Sequence, residues 1–537
     1  MVRLRCCWPT DHRIALGLIV GLVILYCANG DVLPGNDATP NVYLALNVLQ
    51  AGRLSFTPSR MPWLFDWQLR RQGTSLRPLF DLQTHIAEVE AAQLYADGII
   101  VPKPRYFMTP SVRTDPVSGE TLYIGSYGPG AGLSAVPILA FARVFVGDLS
   151  VRPEVLWYSG KVAAALFAAA SAGIVFLTCR LWLQPAPALV LALAYGLGTC
   201  VWSVSSQTLW QHAPNEFFLT LGTFFLVHPR GSLRYAGLSG LFLGAAAACR
   251  PTSALLTVVV GAYMLVTERR RCLAFIAASL PFAVALGMYN SYFLGSLLHF
   301  GQTEAGQAIA FFKTGSRDVW QTPMLYGLAG LLVSPSRGLL VFSPFLALAL
   351  WGAVLAWRRA AFASLRPITL ATVLLLAVES RWFDWWGGWG FGYRRIVDLV
   401  PMLVVLIVPT MGWVGTASWR RVLFGLLVSW SVCVQVLGAY AYDLDGWNAK
   451  RVYRVELSSG ETVVLDTASA ARQVASHGGA KGVVEQRLNI DRPEHRDRLW
   501  SLRDNQIGYY LAHFTEARQA KTAAVRQWLD LWRPPQH

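Results

Sequence analysis

One carboxylate stands where an acid–base catalyst for a lipid-borne substrate would be expected. Asp37 follows the first apolar segment, Ile14 to Cys27, which with its flanks is long enough to reach across most of a bilayer. A short amphipathic pattern begins a few residues later, at Asn41. A carboxylate held at a membrane face between two helices could accept a proton from a substrate that arrives in lipid. The alternative is a helix cap or turn residue, which the neighbouring Asn36 and Pro40 also favour.

A second candidate is the turn from Ser126 to Gly130, which precedes the apolar run Ala131 to Val146. This turn could present backbone N–H groups, together with Tyr127, to a phosphate. An ordinary turn is the alternative. We expect the apolar run to be a helix that lies in the outer interface or dips into the membrane, because counting it as a span would place the basic loops at Arg230 and Arg269 outside the cell.

A third candidate is the glycine-interleaved aromatic segment from Asp384 to Arg395. Trp385 and Trp386 would also suit an aromatic belt at the membrane surface. A belt does not require the interleaved glycines, so this chain is expected to bend closely around another group. The adjacent Arg394 and Arg395 indicate an anion, because arginine keeps its charge and offers a planar fork of donors that suits phosphate.

Further charged residues lie at the ends of other apolar runs on the same expected face. Arg250 and Arg337 add positive charge there, and Asp398 is an ionisable residue close to a span, where it is costly. His212 could line the same cavity, and a structural hydrogen bond is the alternative role for it.

The composition is that of a polytopic helical membrane protein. Of 537 residues, 54% are hydrophobic and 14% are charged, and the mean hydropathy is +0.40. The formal charge of +15 does not indicate nucleic acid, because much of the arginine lies in short loops between apolar runs. The apolar runs predict an all-α membrane domain of about 11 transmembrane helices over residues 1–442. The expected spans are Ile14–Cys27, Trp157–Leu177, Ala186–Val204, His212–Val227, Tyr235–Ala248, Ser253–Thr267, Leu273–Phe293, Gly338–Trp357, Ile368–Val378, Ile396–Trp413 and Val422–Ala441. Its loop 30–156, with interfacial helices, and the region 443–537 are both expected outside the cytoplasm.

The region 443–537 is predicted to be a small α+β unit. Alternation in Arg451–Leu457 and Thr462–Leu465 predicts a hairpin, and the segment from Tyr509 to Trp532 predicts a helix. None of the eight cysteines falls in residues 31–156 or 443–537, so both outer regions must be held without disulfides.

In chain order, these pieces resemble the GT-C-type membrane glycosyltransferases of the protein mannosyltransferase and aminoarabinose transferase superfamily, which take a sugar from a polyprenyl phosphate. The similar pieces are Asp37 with its Tyr-bearing helix, Tyr127-Gly128-Pro129-Gly130, Trp202-Ser203, Gln211-His212, Ser334-Pro335-Ser336-Arg337-Gly338, Trp385-Trp386-Gly387-Gly388 and Phe391-Gly392-Tyr393-Arg394-Arg395. Family members often have Gly-Pro-Arg-Tyr where this chain has Gly392-Tyr393-Arg394-Arg395. The resemblance covers residues 14–442 and does not specify the substrate.

The resemblance implies an inverting transfer of a sugar from a polyprenyl-phosphate donor to an acceptor hydroxyl on a lipid, a glycan or a protein. It implies a bacterial inner membrane as the location, with the site on the extracytoplasmic face. Asp37 would be the general base, and Arg394 and Arg337 would hold the phosphate, with Arg395, Arg250 and Tyr127 in support. The expected lining of the substrate cavity is Tyr43, His212, Trp385, Trp386, Asp384 and Asp398. Some members use a divalent cation such as Mg or Mn, for which Asp37, Asp31, Asp384 and Glu304 could supply oxygen ligands.

Two other functions fit part of the pattern. A lipid-linked sugar flippase or transporter would be expected to show internal repeats and ionisable residues at mid-membrane. No repeat is visible, and the polar residues cluster on one expected face, which favours an enzyme. A catalytically inactive scaffold of the same superfamily is the other alternative, and the presence of Asp37, Arg337 and Arg394 counts against it.

Overall fold

The structure, a computed structural model, describes residues 9–33, 35–69, 100–457, 459, 461–465, 474 and 480–530. Within these residues the chain is mostly helical, with three small antiparallel sheets. The predicted hairpin turn residues Ser458 and Gly460, and the end of the predicted tail helix at Trp532, lie outside the described residues.

The helices divide into those before and after residue 300. The first group is α1 (Pro9–Cys27), α2 (Thr39–Ala51), α3 (Gly130–Val146), α4 (Pro153–Arg180), α5 (Pro185–Leu197), α6 (His212–Val227), α7 (Leu233–Cys249), α8 (Ser253–Thr267) and α9 (Arg269–Leu294). The second group is α10 (Gly301–Thr314), α11 (Met324–Val333), α12 (Leu339–Phe342), α13 (Leu348–Arg358), α14 (Arg366–Ser380), α15 (Val400–Ile407), α16 (Met411–Gly415), α17 (Ser418–Tyr440), α18 (Gln506–Ala512) and α19 (Phe514–Asp530).

Six helical segments of the described residues are long and apolar enough to cross a membrane, and each coincides with a span that the sequence predicts. They are Pro9–Cys27, Pro153–Arg180, Arg269–Leu294, Ala360–Ser380, Arg394–Gly415 and Ser418–Tyr440. The other five predicted spans are shorter helices, so the predicted count of about 11 is not confirmed. One of these, predicted over Ala186–Val204, ends as α5 at Leu197, and a separate π-helical turn covers Val201–Ser205.

Helix α2 is buried, although the sequence predicts a helix lying on a membrane surface. Its residues Thr39–Asn47 are all buried. Glycines on two neighbouring helices permit this packing: a Cβ on Gly132 would lie 2.8 Å from the Asn41 carbonyl oxygen, and one on Gly160 would lie 2.9 Å from Val42 Cγ2. The turn that carries Asp37 is therefore fixed to a helix wedged into the core.

The loop 30–156, named the outer loop, contains two strand pairs that the sequence does not predict. Strands β1 (Phe65–Leu69) and β2 (Ile100–Pro104) form one pair, and β3 (Met108–Thr114) and β4 (Thr121–Gly125) form the other. The backbone N–H of Phe107, just before β3, donates to the Asn36 carbonyl at 3.3 Å. This hydrogen bond ties the outer loop to the Asp37 turn.

The carboxyl-terminal region is a three-stranded sheet followed by short helices. Strands β5 (Ala449–Leu457) and β6 (Thr462–Leu465) form the hairpin that the sequence predicts, and β7 (Ala480–Asn489) pairs with the other edge of β5. The region docks on the glycine-interleaved segment from Asp384 to Arg395, which is called the glycine-rich segment from here on. The Gln506 amide accepts from Gly392 N–H at 2.8 Å and donates to the Gly390 carbonyl at 3.1 Å.

Candidate functional site

The candidate site is a cavity of about 430 Å³ at which the outer loop, the glycine-rich segment and the carboxyl-terminal region meet. Its lining is Gly35, Asn36, Asp37, Phe107, Tyr127, Trp210, Gln211, His212, Arg250, Gln302, Ala305, Gly306, Ile309, Lys313, Trp382, Phe383, Asp384, Gly387, Gly388, Trp389, Arg394, Arg395, Leu444 and Asp491. Seven residues of this lining are site residues that the sequence predicts: Asp37, Tyr127, His212, Arg250, Asp384, Arg394 and Arg395.

Asp37 and Arg394, which both line the cavity, form an ion pair. The Arg394 guanidinium donates to the Asp37 carboxylate through Nη2, and both side chains are largely buried. The helix that follows has Ala38 at its cap position, and no side-chain hydrogen bond caps it. The Asp37 carboxylate is therefore directed at a cation in the cavity instead of serving as a helix cap.

The Arg394 guanidinium also lies over the indole ring of Trp210, 4.2 Å from the ring centroid. The Trp210 Nε1 atom is buried, and no described residue forms a hydrogen bond with it. Stacking on an aromatic face leaves the edges of a guanidinium available for an anion. Trp210 thus orients the cation and adds an unsatisfied donor to the same wall.

Arg250 and Arg395 share a carboxylate behind the cavity. Glu379 is 3.3 Å from Arg250 Nη2 and 2.6 Å from Arg395 Nε. Arg250 also pairs with Asp398, and the Asp398 carboxylate lies 3.1 Å from His212 Nδ1. These carboxylates hold both arginines in place, because a buried cation without a partner is costly.

Lys313 is held between two carboxylates at the cavity edge. Its Nζ lies 3.2 Å from Asp384 and 2.7 Å from Asp491, which belongs to the carboxyl-terminal region. Burial alone would lower the pKa of Lys313, and the Asp384 and Asp491 carboxylates overcome this and raise the pKa above its usual value. Lys313 therefore stays charged and links the membrane domain to the carboxyl-terminal region.

The glycine-rich segment bends around its own arginines. Gly387, Gly388 and Gly392 have positive φ angles of 75°, 61° and 55°, which suit glycine. A Cβ on Gly390 would lie 2.8 Å from Arg394 Cδ. The glycines that the sequence singles out therefore let the backbone close against Arg394 and Arg395.

The turn before α3 serves packing more than anion binding. A Cβ on Gly130 would lie 2.4 Å from the Ala248 backbone, so the first turn of α3 is pressed against the end of α7. Of the predicted phosphate-binding turn, only Tyr127 lines the cavity. Burial, followed by the charge of Asp37, raises the pKa of Tyr127, so its phenol is a neutral hydrogen-bonding group.

The structure places Arg337 away from the cavity, which does not support its predicted phosphate contact. Arg337 is 1% exposed, and its guanidinium donates to the Trp386 carbonyl at 3.1 Å and to Asn448 Oδ1 at 2.7 Å. It also lies over the Trp447 ring, 5.2 Å from the centroid. Its partners are protein groups, so Arg337 fastens the glycine-rich segment to the carboxyl-terminal region.

The sequence predicts four other residues to line the cavity, and the structure places their side chains elsewhere. Tyr43 is buried against Trp157, with ring centroids 6.1 Å apart. Trp385 packs against Tyr326 at 6.0 Å, and Trp386 is buried beneath Lys313. Asp398 lies behind Arg250. These residues support the wall and do not face the space.

The four carboxylates considered for a divalent cation do not converge. Asp37 is paired with Arg394 and Asp384 with Lys313, whereas Asp31 and Glu304 do not line the cavity. Among the described residues, no group of three His, Cys, Asp or Glu side chains is arranged to hold a metal ion. The residues present do not fit the divalent-cation site that the sequence suggests.

Several lining residues carry no local signal in the sequence. Lys313 is one lysine on a short helix, Trp210 is one of 21 tryptophans, and Asp491 lies in a region with no expected role. Only the tertiary structure brings them to Arg394 and Asp384.

The sequence matches no protein-family model and no curated protein. Among solved structures, ArnT from Cupriavidus metallidurans bound to undecaprenyl phosphate is similar over 97% of this chain and 74% of that protein, with 12% identity and a TM-score of 0.46. A likeness at this identity and TM-score fixes neither the fold family nor the chemistry of this chain.

Proposed function

We propose that this protein is an inverting glycosyltransferase that moves a sugar from a polyprenyl-phosphate donor to an acceptor hydroxyl. The observation that carries the proposal is the pairing of Asp37 with Arg394 in a cavity that Arg250 and Arg395 also line. A carboxylate that can accept a proton and cations that can hold a phosphate are the two groups that such a transfer needs.

Asp37 acts as the general base. It takes the proton from the acceptor hydroxyl as that oxygen attacks the anomeric carbon of the donor sugar. The new bond forms as the bond from the anomeric carbon to the phosphate oxygen breaks, so one displacement inverts the configuration. One carboxylate suffices, and Asp384 is occupied by its ion pair with Lys313.

The leaving group is a lipid phosphate, which departs as an anion without needing a proton. Four cations (Arg250, Lys313, Arg394 and Arg395) and three carboxylates (Asp37, Asp384 and Asp491) line the cavity, so its formal charge is near neutral. A phosphate must therefore compete with carboxylates for the cations. We infer that it replaces Asp37 on Arg394, which holds the phosphate and frees the base in one exchange.

Unsatisfied donors support a phosphate position beside Arg394. Arg395 Nη2, Arg250 Nε and Trp210 Nε1 are buried and have no hydrogen-bond partners within the described part of the chain. Buried donors of this kind are costly unless a ligand or water satisfies them. An anion at this wall would accept from them while Glu379 keeps the two arginines in place.

A chemical assay in detergent tests the proposal against a flippase or transporter. Purified full-length protein is incubated with polyprenyl-phosphate-linked hexoses and pentoses, and free polyprenyl phosphate is measured by mass spectrometry. A transferase releases the lipid phosphate from at least one donor in the presence of membrane extract as acceptor. Donors that all remain intact, with protein that moves the same lipids across vesicle membranes, would favour transport.

A further inference from the structure

A second cavity, of about 320 Å³, lies against the carboxyl-terminal sheet. Its lining is Trp389, Ala449, Glu485, Gln486, Arg487, Asn489, Arg492, Glu494 and His495. Among the described residues of this lining, Trp389 belongs to the membrane domain and the others lie in the carboxyl-terminal region.

The two cavities adjoin through a shared wall. Trp389 lines both of them. Asp491 lines the first cavity, whereas Asn489, two residues before it, and Arg492, directly after it, line the second. A molecule in the second cavity is therefore separated from the cavity of Asp37 and Arg394 by one indole ring and one turn of chain.

The second cavity is lined by charged groups of both signs. Glu485, Arg487 and Asn489 alternate along β7 and so share one face of that strand. Arg492 and Glu494 add one charge of each sign, and their side chains, 68% and 56% exposed, are 3.8 Å apart, which is a weak pair. The Arg and Glu charges cancel, so this lining suits a neutral ligand with many hydroxyl groups better than an anion.

One polar atom of the lining is unsatisfied. Trp389 Nε1 is buried and has no hydrogen-bond partner among the residues that the structure describes. An aromatic face flanked by amide, carboxylate and guanidinium groups can stack on the apolar face of a sugar ring and hydrogen-bond its hydroxyls. The chemistry of the lining therefore matches a carbohydrate.

We propose that the second cavity is the acceptor site and that it binds a neutral oligosaccharide chain. The assignment of acceptor rests on the proposed function. The bound chain directs one hydroxyl past Trp389 to the donor sugar. The hydroxyl proton goes to Asp37, the hydroxyl oxygen bonds to the anomeric carbon, and the lipid phosphate leaves with the electrons of the broken bond.

A matched pair of double variants tests the proposal. Glu485→Ala with Arg487→Ala removes one charge of each sign from the cavity face of the sheet. Arg454→Ala with Glu456→Ala makes the same change at exposed positions on the opposite face, because these residues pair with Val484 and Gly482 in the β5–β7 register. Both variants keep the net charge of the protein, so a difference between them reports the cavity.

Full-length protein in detergent is applied to a printed array of neutral and anionic oligosaccharides. We expect binding to a subset of the neutral oligosaccharides, a loss of at least tenfold in the Glu485/Arg487 variant, and no change in the Arg454/Glu456 variant. Absence of binding to every printed oligosaccharide, a preference for anionic ones, or equal binding by both variants would overturn the proposal.

The same variants separate this proposal from the proposed function. Release of polyprenyl phosphate with water as acceptor should persist in the Glu485/Arg487 variant, because Asp37 and Arg394 are untouched. Oligosaccharide binding should persist in Asp37→Asn. Protein that binds oligosaccharides but never cleaves a donor would retain the carbohydrate site and defeat the transferase proposal, whereas donor cleavage without oligosaccharide binding would do the reverse.

Discussion

At the scale of single residues, the ion pair between Asp37 and Arg394 is the central feature of the candidate site. Each side chain has a role in the proposed reaction that the other blocks in the described arrangement. The Asp37 carboxylate accepts from the Arg394 guanidinium instead of from an acceptor hydroxyl, and the guanidinium has fewer free donors for a phosphate. In the proposed exchange, phosphate replaces Asp37 on Arg394, so that the carboxylate is freed for the acceptor hydroxyl and the guanidinium is freed for the phosphate.

Replacement of Arg394 separates charge from geometry. Arg394→Ala should cost about 2–4 kcal/mol of transition-state stabilisation, the scale for removing one preorganised donor. Arg394→Lys should recover part of this, because lysine keeps the charge but lacks the planar fork. The measurement is kcat/KM for donor turnover, with Arg113→Ala, an exposed arginine far along the outer loop, as the control. Unchanged turnover in Arg394→Ala would place the phosphate elsewhere.

The residue types at the site could be predicted from the sequence, whereas their pairing could not. Asp37, Arg250, Arg394 and Arg395 lie near ends of apolar runs, where charge is costly and therefore informative. Arg337 carries the same signal but lies outside the cavity, because Asn448 and backbone carbonyls satisfy it. No local pattern reveals such a distant partner, and the same reason hides Lys313.

At the scale of elements, the glycine-rich segment determines where the arginines lie. Its glycines permit left-handed backbone and close approach of the chain to Arg394 and Arg395. The sequence alone indicates that this segment bends around something. It cannot indicate that the enclosed group is the segment's own arginine pair.

Gly390→Ala tests this positioning. The added Cβ would lie 2.8 Å from Arg394 Cδ, so the guanidinium must shift. We expect donor turnover to fall by about 10²-fold, since a displacement near 1 Å can cost that much. The control is Gly412→Ala, where an added Cβ has no atom of the described residues within 4 Å. Equal activity of both variants, measured at equal thermal stability, would show that Arg394 need not be held by the loop.

The docking of helix α19 is predicted to depend on pH. Burial lowers the pKa of Lys521 on this helix to about 8, from its ordinary value of 10.5. The unfolded chain therefore binds more protons between these values, so stability should rise as the pH increases from about 8 to about 10.5. Lys521→Met should remove this slope. Thermal unfolding midpoints of the two proteins across this range decide it, and parallel curves would contradict the prediction.

At the scale of the whole molecule, the cavity joins regions far apart in the chain. The outer loop supplies Asp37 and Tyr127, and the carboxyl-terminal region supplies Leu444 and Asp491. The apolar lengths of the sequence predict the six long helices, because a span is a local property. The shorter helices break at residues such as Gly198, and how such segments pack depends on neighbours that a single sequence does not specify.

The topology follows from this shared cavity. If the outer loop and the carboxyl-terminal region line one cavity, both must lie on the same side of the membrane. Reporter fusions at positions 120 and 480 should therefore report the same side, and the arginine-bearing short loops predict that this side is extracytoplasmic. Opposite sides would require an odd number of errors in the predicted spans and would separate Asp491 from Asp37.

Asp37→Asn tests the central claim most directly. Asparagine keeps the size of the side chain but cannot accept a proton, so transfer should fall by about 10²–10⁴-fold, the usual contribution of general base catalysis. Binding of polyprenyl phosphate should be unchanged or tighter, because the competing carboxylate on Arg394 is gone. Asp318→Asn, at an exposed carboxylate, is the control. We expect Asp37→Asn to lose transfer and to retain lipid-phosphate binding, and transfer at the wild-type rate by this variant would rule out Asp37 as the general base.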